Sequence, residues 1–468
     1  MAVVLIRNAQ LWQRGLADLR LTDGRIAGIG RFEPQPGDDM IDANGGALLP
    51  GLHDHHIHLA ATAVKAQSLV CGPPEVASEA QLAERLSMPG SGWIRGILYH
   101  ESVMGLPDAA TLDTLQSARA LRIQHRSGRM WLFNSAGLDL VLEGAAPPPG
   151  LERENGHFTG RLFDEDDWLR SALASSPPSF AAISAQLAAY GVTGITDMSP
   201  RNDPVMAAHF AAQAEMGDLQ QHCIVSGNLL LGTCAPSPYW QLGPAKLHLH
   251  ENALPGFDQT VEFICAAHAQ HRPIASHCTT ETELVFTLAA LETAGVMNGD
   301  RIEHCGIATD VHIAGIARLG LAVVSQPHFI TERGDHYLSG VEPRLHDALY
   351  RLAAFNEAGV TLAGGSDAPF GSADPWPAMA AAVSRSTLSG TVIGGHEALS
   401  PEAALALYLA DPLDLPRQRS IAVGDQADLC LLDRPWEQAR ERLSSADVRA
   451  TFIHGRIVQQ RIVQQRID

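Results

Sequence analysis

Over residues 3–32 apolar and polar positions alternate with the period of two that a half-buried strand shows. Within that stretch, LRLTDGRIAGIG sets Asp23-Gly24 between two alternating runs, a pair that favours a tight hairpin. The far end has the same texture. ADLCLLD (427–433) and VRATFIHGRIV (448–458) read as short strands with a turn near Gly455. Between the ends, strand-like apolar runs alternate with Ala/Leu-rich helical segments. That rhythm predicts βα units around a parallel sheet.

Eight core strands are predicted, at 47–59, 191–198, 221–227, 245–250, 272–278, 300–305, 321–327 and 360–367. Eight such strands with helices between them imply an α/β fold of the (β/α)8 TIM-barrel type. The barrel is expected over 49–415. Residues 1–48 and 416–468 would together form a small β-sandwich from the two chain ends. A long gap follows strand one, carrying Pro147-Pro148-Pro149, Pro177-Pro178 and a helical stretch at 108–120. It reads as an insertion over about 60–188, placed over the barrel mouth. The closing RIVQQRIVQQRID contains two tandem pentads. They suggest an added strand or a tail and carry no functional reading.

Composition narrows the function. A chain of 468 residues with 46% hydrophobic content can bury a large core. Acidic residues outnumber basic ones 52 to 33, giving a net charge of −19, so a nucleic-acid or anionic-membrane surface is not expected. The first apolar run is too short for a signal-peptide core, and no run approaches the ~18 apolar residues of a membrane helix. The seven cysteines include no CxxC pair, which argues against a disulfide framework or zinc knuckle and for a cytoplasmic location. Only two of the 33 basic residues are lysines, Lys65 and Lys246.

The candidate chemistry lies at strand ends. His56 and His58 flank Ile57, so alternation turns both imidazoles to one side of strand one. His277 ends strand five, His304 strand six and Asp367 strand eight. The C-terminal end of barrel strands is where catalytic groups collect, and imidazole with carboxylate suits zinc and related cations. Lys246 sits on strand four. A protonated lysine would be repelled by divalent cations. A desolvated neutral one can take up CO2 as a carbamate and become an anionic bridging ligand, which arginine cannot do. A lysine that pairs with an acid or caps a loop is the plainer alternative.

The pattern resembles the amidohydrolase superfamily. PGLHDHHIHL resembles its strand-one motif, GGSDAPF its strand-eight motif, and SIAVGDQADLCLLD its returning C-terminal segment. GWIRGILYHE (92–101) and RMWLFNSAGL (129–138) resemble insertion motifs of the amidohydrolase-3 branch, which includes N-substituted formamide deformylases. The resemblance implies two divalent metal ions, zinc by preference, with cobalt, manganese or iron as alternatives. His56 and His58 would hold one ion, and His277 and His304 the other. Carbamylated Lys246 would bridge them, and Asp367 would ligate the first ion and act as the base. It further implies hydrolysis of a C–N bond in a small molecule: an amide, N-substituted formamide, carbamate or thiocarbamate. A homo-oligomer, dimer or tetramer, is common among such proteins.

Several positions depart from the branch or stand beside the ligands. Relatives usually read Gly-His before the W-x-x-N-S segment, where this chain has Gly128-Arg129. Arg129 is a candidate for gripping a substrate carboxylate, with a surface ion pair as the alternative. His248 and His250 follow Lys246 at period two and are candidate substrate contacts, as is His328 after strand seven. His53 and His55 read as structural, and Cys278 and Cys305 as outward packing residues. Asn134 and Ser135 look like residues that hold the insertion, and His125 is a weaker substrate candidate. Two other readings exist. A mononuclear deaminase of a cyclic amidine would usually lack the bridging lysine. A non-catalytic scaffold would usually have lost ligands, and all six positions are present here.

Overall fold

The computed structural model describes residues 3–173 and 177–461. They form two compact units, one of Met1–Leu59 with Ser179–Asp468 and one of Ala60–Pro178.

The first unit contains the barrel. Its strands in chain order are β1 (Leu52–Ile57), β2 (Val192–Asp197), β3 (His222–Gly227), β4 (Gln241–Leu247), β5 (Ile274–Cys278), β6 (Arg301–His304), β7 (Ala322–Ser325) and β8 (Leu362–Gly364). Each pairs in parallel with the next, so sequence order and spatial order coincide. The circle closes just beyond β8. The Asp367 N–H donates to the His56 carbonyl at 2.7 Å, and the His58 N–H to the Ala368 carbonyl at 2.8 Å. This seam sets the predicted strand-eight carboxylate against the HxH pair. The fold expected from the sequence is therefore present: a parallel eight-stranded barrel with a separate β domain.

Helices return the chain between strands, and their ends are written in the sequence. Pro204–Glu215 begins with Asp203 accepting from the Met206 N–H and proline in its first turn. Glu281–Ala294 has a reciprocal Thr280/Glu283 capping box. Asp310–Leu319 stops at Gly320, whose φ of 66° is left-handed.

The predicted first strand, 47–59, is in fact two. Ala47–Pro50 pairs antiparallel with Leu429–Leu432, and Leu52–Ile57 is β1 of the barrel. Gly51 is the joint. A Cβ there would lie 2.2 Å from the Thr193 side chain, so only glycine lets the chain change sheets at this point. Strand four also differs. It begins at Gln241 and ends at Leu247, leaving His248 and His250 beyond the ladder.

The end sheet joins Val3–Leu11, Leu16–Thr22, Arg25–Gly30, Asp38–Asp42 and Ala47–Pro50 to Leu429–Leu432, Val448–Ile453 and Arg456–Gln460. Ile6, Leu19, Leu48, Leu429 and Phe452 share one core, so the chain ends are packed together as well as hydrogen-bonded. The first RIVQQ pentad is the last strand. Apart from Arg461, the second lies outside the described residues.

The Ala60–Pro178 unit has its own six-stranded sheet. The order is Leu151–Glu154, His157–Phe163, Met130–Phe133, Leu121–His125, Ile94–Tyr99, Leu69–Val70. Leu82, Tyr99, Leu121 and Leu132 are buried in its core. The expected helix near 108–120 is present as Ala109–Leu115. The sheet is new, because its strands are short and separated by loops that hide the alternation.

Candidate metal centre

Six side chains from β1 and the residue after it, β4, β5, β6 and the loop after β8 are the candidates of the sequence. The structure brings His56, His58 and Asp367 together, with one ligand atom from each lying within 4.8 Å of the others. Asp367 Oδ1 is 3.3 Å from His56 Nε2 and 3.1 Å from His58 Nε2. The His277 and His304 rings meet at 4.4 Å, with His277 Nδ1 2.9 Å from His304 Nε2. The His56 and His304 rings are 4.8 Å apart, so the two groups adjoin.

Partners on the far side of each ring decide what the inner nitrogens can do. His56 Nδ1 donates to Glu303 Oε2 at 2.5 Å. Its Nε2 then carries a lone pair, and that lone pair faces a carboxylate oxygen. Two acceptors at this distance need a cation or an extra proton between them. Burial and Lys246 pull the His56 pKa down, yet the carboxylates of Glu303 and Asp367 outweigh them and raise it. The site thus demands positive charge. Similarly, His304 Nδ1 donates to Gln326 Oε1 at 2.7 Å, which leaves its Nε2 as an acceptor aimed at His277. Burial lowers the His304 pKa to about 3 and pushes that of His277 lower still, assisted at His277 by His304 and Lys246. Both are therefore neutral imidazoles, the form that ligates metal.

Lys246 is 5% exposed, and its Nζ has no hydrogen-bond partner among the described residues. It is in register with Ala275 and so shares a face with His277, two residues on along β5. Burial lowers its pKa, opposed by Glu303 and Asp367. Burial alone would raise the Asp367 pKa, but bonds from His56 and His58 hold it well below the ordinary carboxylate range.

Glu303 was not anticipated from the sequence. It is buried in the barrel between His56 and Arg301, whose Nε donates to Glu303 Oε1 at 2.6 Å. Glu303 pairs with His277 across the β5–β6 ladder, so both point inward, and strict alternation would send His304 outward. His304 instead has φ 67° and Cys305 φ 51°, and this left-handed pair swings the imidazole back inside. Asp367 is likewise left-handed, with φ 50°. Asp54 is a second unanticipated group. Its Oδ1 accepts from the backbone N–H groups of His56 and Ser366, stitching β1 to the loop that carries Asp367.

The flanking candidates fall into different places. His248 lies 5.0 Å from the His277 ring and 4.4 Å from His250, so both accompany the metal-site histidines although they lie past the end of β4. Burial first, then His250 and Lys246, lower the His248 pKa to about 4. His328 is buried, and its Nε2 donates to the Ser366 carbonyl, one residue before Asp367. It props the loop that carries Asp367. His53 bonds Thr196, while His55 is wholly buried against the His53 ring without a hydrogen-bond partner among the described residues. Cys278 and Cys305 are buried, and burial pushes the Cys278 thiol up to about 12.

In the second unit, Arg129 is exposed and forms a two-pronged pair with Asp164, at 2.8 and 2.7 Å. His125 pairs with Glu101 at 2.9 Å. Asn134 is fully buried, caps the helix Ser135–Gly144 and bonds the backbone of Gln116, Arg119 and Leu121.

Residues 39–459 match the profile of the amidohydrolase family. The chain is 25% identical to the N-substituted formamide deformylase of Arthrobacter pascens, over 93% of each protein. It is 24% identical to the putative amidohydrolase YtcJ of Bacillus subtilis (strain 168), over 94% of this chain and 95% of that one. Among solved structures it resembles an uncharacterized metal-dependent hydrolase from Pyrococcus horikoshii OT3. The TM-score is 0.76 at 17% identity, over 92% of this chain and 98% of that one, a likeness of fold.

Proposed function

Because the chain belongs to the amidohydrolase family, whose members are metal-dependent hydrolases, we propose that it cleaves the C–N bond of a small amide, N-substituted formamide, carbamate or thiocarbamate with two divalent cations, preferably zinc. The observation that carries this reading is the lone pair of His56 Nε2 facing Asp367 Oδ1 at 3.3 Å, with Glu303 fixing the tautomer behind it. That arrangement fits a cation held by His56, His58 and Asp367. The neutral His277/His304 pair fits a second.

When bound, such ions lower the pKa of water and polarise a carbonyl. The rest is done by the chain's own groups. Asp367, ionised at neutral pH, accepts a proton from the attacking water at a carboxylate oxygen. As the C–N bond breaks, it returns that proton to the leaving nitrogen. Lys246, whose pKa burial lowers, would in its neutral form add through Nζ to CO2 with release of one proton, and the carbamate would supply a carboxylate-like anionic ligand. His248 and His250, next to His277, are assigned to substrate contact.

The test is reconstitution. Chelator-stripped protein is reloaded, desalted and analysed for retained metal, then screened against N-formyl, N-acyl, carbamate and thiocarbamate compounds. About two retained equivalents, with activity lost in Lys246→Ala and partly restored by short carboxylic acids, support the proposal. One equivalent with Lys246 dispensable would favour the mononuclear deaminase. No retained metal would overturn the metal-dependent reading altogether.

A further inference from the structure

A second group of metal-ligating side chains lies at the opposite end of the barrel. His222 opens β3 at its N-terminal end, away from the strand ends that carry the ligands above. Its Nε2 is 2.8 Å from Asp428 Oδ2. Asp428 immediately precedes the end-sheet strand Leu429–Leu432, and its backbone carbonyl accepts from Gly51, the joint between sheets. Its other oxygen accepts from the His454 N–H at 2.8 Å. The His454 ring meets His222 edge-on, with centroids 4.4 Å apart.

One ligand atom from each of the three lies within 4.8 Å of the others. Ligands on a tetrahedral zinc with bonds of about 2.1 Å stand about 3.4 Å apart, a spacing within the 4.8 Å that bounds these three atoms. His222 and His454 line a groove of about 1070 Å³ together with Asp23, Tyr239 and Gly455, which leaves room for water to complete a coordination shell. His454 and Gly455 are the left-handed central pair of a hairpin turn, with φ 49° and 69°. Such turns favour Asn-Gly or Asp-Gly, and histidine holds the first position here with its ring beside Asp428.

We propose that His222, Asp428 and His454 form a separate, exchangeable binding site for a divalent transition-metal ion, zinc by ligand chemistry, at the floor of the barrel. Two imidazoles and a carboxylate are a sufficient protein donor set for zinc with water in the fourth place. A bound ion would tie β3 to the Asp428 strand and the His454 hairpin, coupling barrel and end sheet. The inference does not depend on the catalytic reading, because no residue is shared with the barrel mouth.

His454→Asn is the suitable variant, since Asn-Gly is the pair this turn favours. Full-length wild type and variant, loaded at the barrel mouth and desalted, are titrated with zinc alone. Wild type should take up about one more equivalent than the variant, with zinc affinity for that equivalent at least about tenfold higher. Zinc should raise the Tm of wild type and leave that of the variant unmoved. Anomalous diffraction from zinc-soaked wild-type crystals should show a peak between the three side chains. Equal uptake by the two proteins, or no peak, overturns the site and leaves a packing contact only. Hydrolytic activity is not the readout, so failure here leaves the barrel-mouth proposal standing.

Discussion

The two histidine–aspartate groups at opposite ends of the barrel differ in what stands behind the ligand. At the mouth, His56 is held from the rear by Glu303, His304 by Gln326 and His58 by Ser199. Acceptor then faces acceptor, and the charge deficit is built in before any ion arrives. At the floor, His222 Nε2 stands 2.8 Å from Asp428 Oδ2, and that carboxylate already accepts from the His454 N–H through its other oxygen. The first arrangement suits tight, permanent binding. The second suits an ion that comes and goes, because the residues already have a stable alternative.

The sharpest way to break this contrast is at the base. Asp367→Asn removes the proposed proton carrier and anionic ligand together, and kcat should fall at least ~10³-fold, measured on whichever substrate the screen yields. A smaller loss would mean that Asp367 only positions the loop. Next is Glu303→Gln, which keeps the shape but lets the His56 tautomer relax. Metal affinity at the mouth should fall roughly 10–100-fold, read by competition with a chelator. The variant should also be destabilised, because Arg301 is left as a buried charge without its partner, a loss of about 3–5 kcal/mol. Unchanged affinity would remove Glu303 from the site. Gln326→Ala tests the other support and should cost about tenfold, the lower end of such effects. The smallest change is expected at the floor. His454→Asn should leave kcat/KM within about twofold and stability within about 0.5 kcal/mol in zinc-free buffer. A large activity loss would show the two ends to be coupled.

Much of the mouth was legible in the sequence because strand ends are predictable even where boundaries are loose. His56, His58, His277 and Asp367 needed only a period of two and a barrel order. His304 was legible for an incomplete reason: its inward direction depends on a left-handed break after Glu303 that no periodicity announces. The same break conceals Glu303, which alternation would have paired with His277 if β6 had been aligned against β5 in advance. The floor cluster was invisible for a different reason. Asp428 and His454 sit at the ends of two adjacent end-sheet strands, and His222, some 200 residues earlier on β3, meets them only because that sheet docks on the barrel floor. Arg129 stood out as a departure from relatives, yet its bidentate pair with Asp164 spans 35 residues and could not be read from either segment. The sheet of the Ala60–Pro178 unit escaped because strands such as Met130–Phe133 are too short to show a period.

The pairing of Ala47–Pro50 with Leu429–Leu432 also governs how the chain must be made. Leu48 meets Leu431, some 380 residues later. During synthesis at about 5–20 residues per second, the amino-terminal strands wait roughly 20–80 s for their partners to leave the ribosome. Until then the apolar faces of Ile6, Leu19 and Leu48 lack the Leu429 and Phe452 side chains that cover them. The nascent chain thus carries an unfinished, sticky edge through almost its whole translation, and holdase chaperones should engage it there until the last strands arrive.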